Sequence, residues 1–183
     1  MAVLLLLYYC TRCTVPTTDY YMASKEFTVA QTIDITNVAS TALISLSPYV
    51  DPGDNQGIEI VSVDYIFHDS TTELPYESST DWAAAVQLKD NVEGALISYE
   101  NIHLVSSAGY TNDGTTGHFT GSDVFPDSLP GSGRSVVNDD LEICALASAA
   151  TADFACTVRV TMRIIKLTKR NWMQIALQTV ADQ

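Results

Sequence analysis

The sequence predicts an all-β chain: a single antiparallel β-sandwich or jelly roll of about eight strands, with a short C-terminal helix. Three observations carry that expectation. Apolar and polar residues alternate with a period of two through several runs between Phe27 and Leu167, the signature of a strand that lays one face on a core. Clusters of Gly, Pro, Asp and Asn separate the runs, as in Asp51-Pro-Gly-Asp-Asn-Gln-Gly57, and such residues end strands and fold the chain back. No helical spacing intervenes between runs, so nothing supplies the crossover helices of a parallel sheet.

At 183 residues one core is the default, and a chain of this length buries roughly 70% of its unfolded surface without a metal or disulfide staple. Residues 1–24 read as an N-terminal extension or arm, and residues 25–183 as the sandwich domain. Met1-Ala-Val-Leu-Leu-Leu-Leu-Tyr-Tyr-Cys10 has the apolarity of a secretory leader but neither a basic start nor a small-x-small cleavage site. It is also shorter than the about 20 residues that span a bilayer. Met22-Ala-Ser-Lys25 reads as an ordinary start followed at once by patterned sequence. Residues 1–21 are therefore either an upstream extension with a wrongly assigned start, or a flexible arm or cleaved leader.

Phe27, Val29, Gln31, Ile33 and Ile35 mark the first strand, and Thr36 to Ser40 interrupts it before Thr41-Ala-Leu-Ile-Ser-Leu-Ser47. Ile58 to Phe67 carries apolar residues on both faces, which predicts a central strand. In Trp82-Ala-Ala-Ala-Val-Gln-Leu-Lys89 the alanines favour helix, whereas the alternation of Trp82, Ala84, Val86 and Leu88 favours strand. The β-rich surroundings decide for strand. Gly94 to Val105 supplies a further strand or one with an irregular start. Ser106 to Ser135 reads as one long polar loop, longer than the usual connection, and Leu141 to Ala147 leads to the closing strand.

That closing strand is the best-patterned stretch of all. Cys156, Val158, Val160, Met162 and Ile164 share one face, while Thr157, Arg159, Thr161 and Arg163 share the other. Lys166, Lys169 and Arg170 carry the charge onward into a short amphipathic segment containing Trp172. Five of the nine Lys and Arg residues lie here, and no acidic residue occurs between Phe154 and Ala181. The net charge of the whole chain is −13, which excludes broad phosphate binding of the kind that nucleic-acid proteins use. Arg159, Arg163, Lys166, Lys169, Arg170 and Trp172 are the candidate interaction residues. They read either as a solvated strand face and helix start, or as an interface in which the basic stripe of one subunit meets the acidic loops of another. An enclosed polyanion such as a genome is the other match for the stripe.

No catalytic, metal or cofactor site is legible. There is no Walker loop, no G-x-S-x-G elbow and no H-E-x-x-H. Cys10-Thr-Arg-Cys13 has the spacing of half a zinc site, but a second half is lacking, because His68, His103 and His118 are scattered. Cys144 and Cys156 lie in apolar runs, where a free cysteine acts as a small hydrophobe. Asp51, Asp54 and Asn55 cluster oxygens without the spacing of a calcium loop. Gly131-Ser-Gly-Arg-Ser135 reads as a turn rather than a phosphate loop. His118, beside Phe119 and Asp123, reads as a solvated loop histidine. Trp82, Tyr65, Tyr99 and Tyr110 read as core or, alternatively, as a sugar-stacking platform.

The patterned region from Phe27 to Gln178 resembles the small jelly-roll major capsid proteins of tailless icosahedral viruses of archaea and bacteria. The resemblance rests on the strand count, the polar stretch Ser106 to Ser135, and the basic strand running into Lys166-Leu-Thr-Lys-Arg-Asn-Trp-Met-Gln-Ile-Ala-Leu177. It implies a shell subunit of a virion with no enzymatic activity. The implied partners are further copies of the chain, a second capsid protein, and a genome touched through the basic strand. The chain lacks the basic N-terminal arm of many viral jelly rolls. A secreted or surface β-sandwich that binds carbohydrate or another ligand is the alternative, and a hydrolase the third reading.

Overall fold

The computed structural model describes residues 24–76, 80–114, 116–121, 124 and 133–180, the side chains of 179 and 180 excepted. Among these residues the order is β1 (Phe27–Asp34), β2 (Ser40–Ser45), β3 (Gln56–Asp69), β4 (Asp81–Lys89), β5 (Leu104–Asp113), β6 (Gly117–Gly121), β7 (Arg134–Val136), β8 (Asp140–Ala147), β9 (Phe154–Lys166) and α1 (Lys169–Val180). The first half of the chain runs antiparallel to the second as a doubled ribbon. β1 pairs with β9, β2 with β8, β3 with β7 and β4 with β5. The ribbon wraps so that β9 also pairs with β3 and β8 with β4. Two antiparallel sheets result, β1-β9-β3-β7 and β2-β8-β4-β5-β6, and they enclose one core in the manner of a jelly roll. This is the fold class that the alternation predicts.

The core is filled from both sheets by such residues as Ile35, Ile44, Ile58, Val86, Ile143, Val158 and Val160. Its aromatic end is centred on Phe154, whose ring centroid lies 4.5 Å from Tyr76 and 4.6 Å from Trp82. Cys144 and Cys156 are buried and free, and burial pushes the Cys156 thiol up to about 12, so it stays protonated and unreactive. A second apolar cluster of Val137, Ile165, Leu167 and Ile175, with Trp172 and Ala176 against it, seats α1 beyond the end of β9.

Three elements differ from the sequence reading. The alternation in β3 changes phase, because the register slips between Ile60 and Ser62 and leaves Val61 as an extra residue. One such residue moves every later side chain to the opposite face. Ile58 and Ile60 therefore enter the core before the slip, and Val63, Tyr65 and Phe67 pack on it afterwards. The supposed loop Ser106 to Ser135 is partly strand: β5 runs through its start, β6 follows, and β7 begins at Arg134. Ser106 and Ala108 face inward opposite Leu88 and Val86, and side chains that small give no apolar contrast to read.

The third difference is the stretch from Gly94 to Val105, of which only Leu104 and Val105 are strand. Its earlier part folds over the outer face of β4 and β8. Gln87 Oε1 accepts from Ile97 N at 2.8 Å and its Nε2 donates to Ile97 O at 2.9 Å. Lys89 Nζ donates to Ala95 O at 2.6 Å, and Glu142 accepts from Glu93 N and Gly94 N. Buried polar side chains thus take the backbone groups that a strand ladder would have used.

Candidate functional site

β9 lies between β1 and β3, so its outward side chains stand in the middle of the sheet. That outer face is polar: the hydroxyls of Thr28 and Thr161 are 3.1 Å apart, those of Thr32 and Thr157 2.8 Å, and His68 Nε2 is 2.9 Å from Thr157 Oγ1. Arg159 is exposed there, with Ala30 beside it on β1 and Asp64 on β3. Arg163 stands opposite Glu59 in the register; its Nε donates to Glu59 Oε2 at 2.8 Å, and its Nη1 is 4.0 Å from Glu26 Oε1. The bond to Glu59 raises the guanidinium above its ordinary value. The face that looks basic along the chain is therefore mixed in space, since β3 supplies acids that a one-strand reading cannot see.

The other four candidate residues lie at the last position of β9 and in the first turn of α1. Lys166, Lys169 and Arg170 are exposed and form no ion pair among the described residues. Thr168 starts the helix, its Oγ1 accepting from Asn171 N at 3.2 Å. Trp172 is half-buried against the Ile165, Leu167 and Ile175 cluster, and its Nε1 has no hydrogen-bond partner among the described residues. The structure thus unites Lys166, Lys169, Arg170 and Trp172 at one end of the sandwich and leaves Arg159 in mid-sheet, with Arg163 held by Glu59.

Beside α1 runs a groove of about 440 Å³. Trp172 and Ala176 form one wall; the turn at Pro52, the end of β4 at Asp90, Asn91 and Val92, and the corner Val137 to Asp140 form the others. Asp90 is held from behind, by Arg134 at 2.7 Å and by His103, whose Nδ1 lies 2.8 Å from its Oδ1. Asp139 and Asp140 make no ion pair among the described residues. Asn91 donates to Glu93 Oε1 at 2.5 Å, while its buried Oδ1 is unpartnered among them. In the sequence, Asn138-Asp-Asp looks like a lead-in to a strand; two adjacent acids bordering a basic segment were the signal available.

The remaining chemical candidates do not converge. Asp51 Oδ1 closes a turn by accepting from Gly53 N at 2.8 Å. Arg134 is committed to Asp90, and Gly131 and Ser132 lie outside the described residues. His118 is exposed, 4.0 Å from Asp113, and Asp123 lies outside the described residues. No group of three His, Cys, Asp or Glu residues is placed to hold a metal among the described residues; Cys10 and Cys13 lie outside them. Of the two readings of the aromatic residues, core holds for three of the four. Trp82 is buried with Tyr110 stacked at 5.3 Å and Phe154 edge-on, Tyr65 packs on the same core, and Tyr99 stands exposed apart from them.

No family model matches the chain, and no curated protein does either. Among solved structures it is similar to the unassembled pentamer of Merkel cell polyomavirus VP1, at 9% identity and a TM-score of 0.41, over 78% of this chain and 96% of that one. A likeness at this level carries no argument about what the chain does. No helix among the described residues is long and apolar enough to cross a membrane.

Proposed function

We propose that the chain is a capsid shell subunit that assembles with copies of itself, and that Arg159, Lys166, Lys169 and Arg170, which form no ion pair among the described residues, serve that assembly. One observation carries the reading: a wrapped jelly-roll ribbon ends in a segment whose exposed cations Lys166, Lys169 and Arg170 form no ion pair among the described residues, on a chain whose net charge is −13. Like-with-like assembly is the arrangement in which such a segment and the acidic remainder satisfy each other, because charge complementarity sets partner and register. A second capsid protein, a genome contact through β9, a source in a virus of archaea or bacteria, and residues 1–24 acting as an arm are finer parts of the same reading.

Sedimentation velocity of the full chain over a range of concentration and salt tests it. Concentration-dependent association that weakens with salt is the expected result. A monomer indifferent to both would end the capsid reading.

A further inference from the structure

The exposed face of α1 adjoins the groove that Trp172 and Ala176 line. Around the helix, Ile175 points into the second apolar cluster, Trp172 and Ala176 line the groove, and Lys169, Met173 and Leu177 follow on the solvent side with Arg170 beyond them. Met173 and Leu177 are 49% and 64% exposed, and Val92 on the opposite lip of the groove is 60% exposed. The helix side is thus apolar with cations at its start; the groove side joins Pro52, Val92 and Val137 to acidic and amide residues, with Asp139 and Asp140 at its corner. The cations also sit badly for the helix. Its first turn holds Lys169 and Arg170 and no acid, whereas the positive end of a helix dipole favours anions. A local rule broken without an internal gain marks a residue held for an outside partner.

We infer that a second copy of this chain docks here about a two-fold axis, Lys169 and Arg170 of each copy meeting Asp139 and Asp140 of the other while Met173 and Leu177 cover Val92 and the groove. The reciprocity follows from position: the complementary halves adjoin on one surface, so a single two-fold rotation satisfies both at once. This contact rests on the assembly reading and names one interface within it.

The experiment is a charge swap read by light scattering after gel filtration. One variant carries Lys169→Glu and Arg170→Glu, the other Asp139→Lys and Asp140→Lys, and thermal melts check folding. The first pair is matched to the helix dipole, so a loss of association in it is not a loss of fold. Each variant alone should weaken the dimer at least about tenfold, and the two combined in one chain should restore it. Wild-type association unchanged in both variants would overturn this interface and leave the capsid reading standing. A wild type that never associates would overturn both. A monomer that instead takes up a Lys/Arg peptide in the groove, with Asp139→Lys and Asp140→Lys abolishing uptake, would assign the groove to a different cationic partner and overturn the two-fold contact.

Discussion

Arg163 and Glu59 face each other across β9 and β3, with Nε to Oε2 at 2.8 Å, and this one ion pair divides the basic strand into two kinds of residue. The Glu59 side chain is nearly closed to solvent, and Arg163 is its ion-pair partner. Arg159, two strand repeats away on the same face, forms no ion pair among the described residues. Arg163→Glu is expected to destabilise the fold by about 2–4 kcal/mol, because it leaves a buried carboxylate facing another. Arg159→Glu is expected to stay within about 0.5 kcal/mol of wild type, and to act on association instead. Urea titrations of the two variants, side by side, check the distinction; equal stabilities would refute it.

The Lys89–Glu142 pair holds the crossing segment on the outer face of the sheet. Nζ is 2.7 Å from Oε2, and both side chains are shut off from water. Removing one partner strands the other, so Lys89→Met should cost about 3–5 kcal/mol. Adding Glu142→Gln to that variant removes the stranded charge and keeps an acceptor for Glu93 N and Gly94 N. The double variant should therefore be more stable than the single one by denaturant midpoint, and a double variant at or below the single would show that the pair is not coupled.

The same carboxylate makes stability depend on pH. Burial alone would raise Glu142, but the Lys89 ammonium and the N–H groups of Glu93 and Gly94 outweigh it and hold the group below its ordinary 4.5. With the folded value below the unfolded one, the unfolded chain takes up the proton first as pH falls. The stabilisation is complete above about pH 4.5 and is lost as pH drops through the folded value. Asp69, lowered by the N–H groups of Thr72 and Thr71, acts in the same direction. Stability measured at about pH 6 and about pH 3.5 should fall more steeply in wild type than in Glu142→Gln; parallel losses would count against the assignment.

Gly94 offers a backbone test of the same contact. Its φ is +73°, its N–H is given to Glu142 at 3.0 Å, and a methyl group there would meet nothing. Gly94→Ala should thus cost only the left-handed conformation, about 1–2 kcal/mol. A stabilising effect would mean that the segment does not hold this shape in solution.

How much of this was legible depends on whether the signal lay within one strand or between two. The alternation in Cys156 to Met162 reports one strand against one core, and Cys156, Val158, Val160 and Met162 are all fully buried. Beyond Met162 the pattern blurs, because Ile164 meets the main core and Ile165 the cluster under α1. The phase change in β3 and the pairing of Glu59 with Arg163 belong to a register between segments 104 residues apart, which no local period encodes. β5 was hidden for a different reason: its inward residues Ser106 and Ala108 are buried but too small or polar to stand out as an apolar alternation. Of the candidate surface, the cations were plain in the sequence. Asp139 and Asp140 come to border the same groove as Trp172 and Ala176 only because the corner leading into β8 folds beside α1.

Electron microscopy of the purified full chain, at low salt and high concentration, tests the central claim most directly. The account predicts closed shells or regular ring-shaped oligomers that dissolve as salt is raised, and that Lys169→Glu with Arg170→Glu fails to form. A field of single, unassociated particles under every condition would contradict it.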